Sequence, residues 1–182
     1  CFELGKFINF NDNFYLMLTL KQNKEFEEKL GMDSQKVEIL DVSLAKLRDE
    51  VKKCKGEAVV LGGNDKLNRL ALEIKKIDVL LSPEANDKED NVHYRKSGLN
   101  QVLCKLAKQN DIAIGFDFAR LLRSQGKERG KILGKMFFNY KICKKYGVKM
   151  VFSSFAKDKF ELRNGDSMRV FERILEKYAK DL

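Results

Sequence analysis

Six short runs of this chain are rich in Val, Ile, Leu or Phe, most of them with no polar alternation, and that limits what it can fold into. They are Phe14–Leu20, Val37–Val42, Ala58–Leu61, Asp78–Ser82, Ile112–Phe118 and Met150–Phe155. A strand with one wet face alternates apolar and polar side chains; a strand buried on both faces does not. Helical repeats separate most of the runs. Leu44, Leu47 and Val51 share one face behind an N-cap candidate at Ser43, and Leu67, Leu70, Ala71 and Ile74 share another. Leu99, Val102, Leu103 and Leu106 form a third, and Leu133, Met136, Phe137, Tyr140 and Cys143 a fourth. Apolar strands alternating with one-sided helices imply right-handed βαβ units and a parallel α/β sheet, as an open doubly wound sheet or a closed barrel. Either puts functional loops at the strand C-termini, where Gly62-Gly63-Asn64-Asp65 and Ser82-Pro83-Glu84 lie.

No linker rich in Pro or Ser divides the chain, so residues 1–182 read as a single domain. Lys6–Phe10 could supply an edge strand, Glu25–Leu30 a short acidic helix, and Ser167–Lys180 a last helix behind an N-cap at Asp166. Asn86–Ser97 is a polar loop. With 43% apolar and 35% charged residues the chain can bury a core and solvate its surface. The longest clean apolar run, Phe14–Leu18, is far below the roughly 20 residues of a membrane span. With no signal-peptide pattern, a cytoplasmic protein without membrane contact is expected. Cys1 in place of an initiator Met reads as a trimmed or incomplete product. Cys1, Cys54, Cys104 and Cys143 are too dispersed for a zinc site and fit reduced structural thiols.

Charge is where function shows. The net charge of +9 is a balance between −3 over residues 1–91 and +12 over residues 92–182. Between Arg95 and Lys149, 14 basic groups face only Asp111, Asp117 and Glu128. Such asymmetry is the footprint of a polyanion binder. A merely basic, soluble protein is the bland alternative; a membrane surface is disfavoured because the apolar helix faces look committed to a core. On the helix from Lys127 to Tyr146, Lys131, Lys135, Lys141, Lys144 and Lys145 are expected to be exposed. Arg69, Arg95, Arg120, Arg123, Arg129 and Arg163 fall near strand ends and helix starts, where a guanidinium can grip a phosphate bidentately. Together these cations are expected to form one external face.

Catalysis by the chain itself has weaker support. Glu84, Asp117 and Asp41 sit at strand C-termini, where an α/β hydrolase would hold Mg²⁺ or an acid–base pair. A stand-alone metal-dependent phosphoester hydrolase is therefore the alternative reading. One histidine, His93, rules out a His-rich metal centre, and Gly62-Gly63 lacks the rest of a P-loop. Ser82, Ser153 and Ser154 have no evident base beside them.

The ordered set of segments LRDEVKK (47–53), NDKLNRLALE to Glu73, DVLLSPE (78–84), GLNQVLCKLAKQNDIAIGFDFARLL (98–122) and GKERGKILGKMFFNYKICKKYGVKMVFSSFA (126–156) resembles the archaeal-type ribonuclease P protein component 3 family, which includes the eukaryotic thirty-kilodalton RNase P subunit. The resemblance implies a TIM-barrel-like fold related to the polymerase-and-histidinol-phosphatase superfamily, without its His-rich metal centre. It also implies a non-catalytic, RNA-binding subunit of a ribonucleoprotein endonuclease that removes 5′ leaders from precursor tRNA, inactive when isolated. The implied partners are RNase P RNA, precursor tRNA, component 2 in a heterotetramer, and other protein subunits. The chain would hold no cofactor; Mg²⁺ would be used by the RNA. Carried over by motif, Arg69, Lys105, Arg129 and Arg163 match basic family positions and Arg95 stands in for a basic loop residue. With Arg120, Arg123, Lys131 and Lys135 they make up the expected RNA-binding set. Gln101 stands where the family often has His, and the customary Pro-Arg-Asp-Leu after Arg163 is missing. The N-terminus looks one βα unit short, and both departures point to an incomplete barrel whose closing strand is reduced or missing.

Overall fold

The computed structural model of the protein describes residues 18–19, 23–29, 31, 35–86 and 95–180. Lys6–Phe10, His93 and Cys1, with most of Phe14–Leu20 and of Asn86–Ser97, lie outside the described residues. In chain order the elements are β1 (Leu18–Thr19), α1 (Lys24–Lys29), β2 (Gln35–Lys36), β3 (Ile39–Leu40), α2 (Leu47–Lys53), β4 (Val59–Leu61) and α3 (Asp65–Glu73). There follow β5 (Val79–Leu81), α4 (Gln101–Gln109), β6 (Ala113–Asp117), α5 (Phe118–Arg123), α6 (Gly126–Tyr146), β7 (Met150–Ser153) and α7 (Gly165–Lys180).

Strands β3 to β7 form one parallel sheet in sequence order, and β1 pairs in parallel with β2. A parallel bridge from Thr19 to Ala156 joins β1 to the segment just past β7. The sheet thus turns back on itself in a TIM-barrel-like βα fold whose closing strand has two residues among those described. Side chains fasten this seam. The Leu18 backbone N–H donates to Ser153 Oγ at 2.7 Å, the Ser153 hydroxyl donates to Leu18 O at 3.1 Å, and Thr19 Oγ1 donates to Ala156 O at 3.0 Å.

The apolar side chains divide into two layers, as a barrel requires. Leu18, Val37, Val59, Val79, Leu81, Ala113, Val151 and Phe155 make a small inner cluster. The alternate strand residues Val60, Leu80, Ile114, Phe116 and Phe152 face outward under the helices, Phe116 stacking on Phe152 at 5.0 Å between ring centroids. Both faces of the central strands β5 and β6 are therefore dry. Gly115 is small because the interior is narrow: a Cβ there would lie 2.9 Å from Val79 Cγ1.

Three helix registers differ from the expected ones. α2 begins at Leu47, with Leu44–Lys46 forming a turn whose Lys46 N–H reaches Ser43 O; no side chain caps it. α4 is capped by Asn100, whose side chain accepts from Leu103 N–H, and this rotation buries Leu103, Cys104 and Ala107 and leaves Val102 64% exposed. α7 starts at Gly165; Asn164, not Asp166, supplies the capping oxygen, to Ser167 N–H at 3.0 Å. Cys54, Cys104 and Cys143 are free thiols.

Candidate nucleic-acid interface

In a parallel βα fold each strand runs toward the start of the next helix, so the loops leaving β4 to β7 gather at one mouth. A glycine and an asparagine hold these loops rigid. Asn68, fully buried on α3, accepts from Gly63 N–H at 2.9 Å and donates to Pro83 O and Gly98 O, both at 3.1 Å. Gly98 takes φ +80°, and a Cβ there would fall 1.9 Å from Pro83 O, so no other residue fits. Ser82 and Phe155, at the ends of β5 and β7, also take positive φ (48° and 42°), a strained conformation of the kind that gathers at functional sites.

Two carboxyls lie in this mouth. Glu84 is buried; desolvation pushes its pKa up to about 7 despite nearby Arg120 and a hydrogen bond from Asn139 Nδ2 at 3.3 Å. Asp117 caps α5, accepting from Arg120 N–H at 3.1 Å, and burial raises it to about 6 against the pull of Arg123 and Arg120. Around them Glu84 Oε1, Asn139 Oδ1 and the hydroxyls of Ser82, Ser97 and Ser154 are buried without a hydrogen-bond partner. Asp41 lies beyond β3, two strands from Glu84 in the sheet order, and is exposed. Among the described residues no three or more His, Cys, Asp or Glu side chains are grouped to hold a metal ion.

Most of the expected RNA-binding arginines are here, tied into the protein. Arg123 pairs with Asp117 at 3.5 Å and with Glu161 at 3.1 Å. Arg129 Nε donates to Ser124 O at 2.8 Å. Arg163 donates to Phe160 O and Leu162 O at 2.8 and 2.6 Å and stands 6.0 Å from the Phe118 ring centroid. Arg95 lies flat on α6: a Cβ on Gly134 would collide with its Nη1 at 1.7 Å. Arg120 is half-buried, near enough for its charge to favour the ionised form of both carboxyls.

Of the remaining four, three lie away from the mouth. Arg69 and Lys105 occupy the middles of α3 and α4, both exposed, Arg69 pairing with Glu73 at 3.1 Å. Lys131 is exposed on α6. Lys135, expected to be exposed, is 6% exposed, because α6 turns the arc of Lys135 and Asn139 inward and the ammonium reaches Asn86 O and Oδ1 at 3.2 and 3.0 Å. One external cationic face is therefore not what forms. The charges divide between a mouth of engaged arginines, exposed helix flanks, and the far helix ends where Lys141, Lys144 and Lys145 stand. Reasoning from sequence also passed over Asn68 and Asn139; each is a polar residue on an otherwise apolar helical arc, which was the available signal.

Comparison with known proteins bears on this arrangement. The family described as RNase P subunit p30 matches residues 36–181. The chain is 35% identical over 153 residues to ribonuclease P protein component 3 of Methanocaldococcus jannaschii, covering 80% of this chain and 62% of that protein. It is 34% identical over 148 residues to the protein of the same name from Methanosarcina barkeri, covering 80% and 56%. The chain thus spans 56–62% of the length of these relatives. Among solved structures, a chain from the cryo-EM structure of archaeal ribonuclease P with mature tRNA superposes with a TM-score of 0.65 at 29% identity, covering 91% of this chain and 74% of that one.

Proposed function

The chain belongs to the RNase P subunit p30 family, and from that membership we propose that it is an RNA-binding protein subunit of ribonuclease P, supporting removal of 5′ leaders from precursor tRNA. The match over residues 36–181 carries this reading. Bond cleavage belongs to the RNA subunit and its Mg²⁺; this chain binds no cofactor of its own and is inactive in isolation. Its contribution is electrostatic. Cations beside folded RNA offset phosphate repulsion and so lower the Mg²⁺ needed to hold the catalytic fold.

The exposed Arg69, Lys105 and Lys131 act as direct phosphate contacts, with Arg123, Arg129 and Arg163 at the rim of the mouth. Arg95, Arg120 and Lys135 shape that rim from within. Component 2, in a heterotetramer, and the other RNase P proteins are the protein partners, in the cytoplasm and away from membranes; no helix among the described residues is long and apolar enough to cross one.

Reconstitution tests the reading. RNase P RNA and the remaining subunits are assembled with the chain, without it, and with Arg69, Lys105 and Arg163 all changed to Ala. At limiting Mg²⁺, omission should abolish most cleavage and the triple variant should lower it about tenfold, with recovery at high Mg²⁺. Equal cleavage in all three assemblies sinks the proposal.

A further inference from the structure

Helices of a parallel βα fold end at the face opposite the mouth, and there the free positive charge collects. A helix C-terminus carries about −0.5 of a charge, so one basic residue per end answers the macrodipole. α6 and α7 exceed that need. A cleft of about 350 Å³ between them is lined by Lys141, Lys144, Lys145 and Lys180, with Glu176 as its one acid among the described residues and Tyr140 and Ala179 beneath. Glu176 is shared, pairing with Lys144 and, at 3.7 Å, with Lys180. Lys141 and Lys145 have no carboxylate in ion-pair reach among the described residues; Lys145 stands 5.8 Å from the Tyr146 ring centroid. Lys108, ending α4, joins the patch: its Nζ lies 3.1 Å from where a Cβ on Gly147, the α6 cap, would be.

Among the described residues, four ammonium groups against one carboxylate leave the cleft at +3, whereas two helix ends offset only about one charge. We propose that this lysine cleft is a second phosphate-gripping surface, holding the sugar-phosphate backbone of folded RNA on the face opposite the barrel mouth. The inference rests on the RNA-binding reading above and adds where a further part of the RNA lies. Ammonium groups on long stems are mobile point charges suited to tracking a backbone without reading bases. The lining has no exposed Leu, Phe or Trp of the sort that inserts into a bilayer.

The test uses the whole chain with an RNase P RNA transcript. Affinity is measured against salt for the unchanged protein, for Lys141→Gln/Lys145→Gln/Lys180→Gln, and for the mouth variant Arg129→Gln/Arg163→Gln. Lysine acetylation is mapped with and without RNA, and with phosphatidylserine vesicles in place of RNA. The cleft variant should bind about tenfold more weakly, with the salt exponent reduced by about two to three, and RNA should protect the three lysines. Unchanged affinity in the cleft variant, with lysines still reactive while the mouth variant loses binding, overturns the cleft and leaves the RNA-binding reading standing. Protection by vesicles and not by RNA overturns the cleft as well. Failure of the unchanged protein to bind the RNA removes both.

Discussion

The two ends of this barrel hold positive charge in opposite ways. At the mouth, Arg123 is divided between Asp117 and Glu161, Arg129 and Arg163 donate to backbone carbonyls, and Arg95 lies against a glycine. At the helix ends, lysines stand in solvent, and the one acid described in the α6–α7 cleft, Glu176, serves two of them. Net charge counts both populations alike; a phosphate does not. An arginine with its donors engaged lends shape and a field, while an unpaired ammonium can exchange counterions for a polyanion directly. Stability should therefore be more sensitive at the mouth than at the helix ends.

The largest effect should come from the framework of the mouth. Asn68→Ala would orphan the Gly63 N–H, the buried Pro83 carbonyl and the half-buried Gly98 carbonyl, and should cost roughly 4 kcal/mol in urea unfolding. A loss below about 1 kcal/mol would mean that the loops do not depend on this residue. Next comes Glu84. A carboxyl whose folded pKa is raised contributes fully below its unfolded value of about 4.5, and that contribution disappears as pH climbs through about 7. Glu84→Gln removes the ionisation, so its stability relative to the unchanged protein should rise by on the order of 2–3 kcal/mol between pH 4.5 and pH 8. A difference that stays flat with pH would show Glu84 to be ionised without penalty. The smallest effects draw the comparison most sharply. Arg123→Ala, which strands two carboxylates, should lose roughly 1–2 kcal/mol, and Lys141→Ala should stay within about 0.5 kcal/mol. Equal losses from the two would erase the distinction between the ends.

The βα rhythm was legible because strands buried on both faces leave an unalternating signature, seen at Val79–Leu81 and Ala113–Asp117. The choice between open sheet and barrel was not. It depends on Thr19 meeting Ala156, a contact spanning 137 positions that no local pattern encodes. Helix registers failed where a capping side chain rotated the start, as Asn100 does in turning Val102 outward. The cationic surplus was legible as a quantity, but its placement was not. Lys135 and Lys141 occur in the same helical stretch but on different faces, and Lys135 is buried because its face turns inward against the loop at Asn86.

The seam between β1 and β7 has a kinetic consequence. Its strands come from distant parts of the chain, so the first of them is synthesised long before its neighbour and must wait with an open edge. Joining such ends carries a closure entropy that grows only slowly with length, by about 0.6 kcal/mol per doubling, yet the search still comes after the local βα pairs have formed. The ring, fastened by the Ser153 and Thr19 hydroxyls, should therefore close late in folding. Hydrogen exchange should find it among the earliest places to unfasten, with the paired strands from β4 to β6 among the latest.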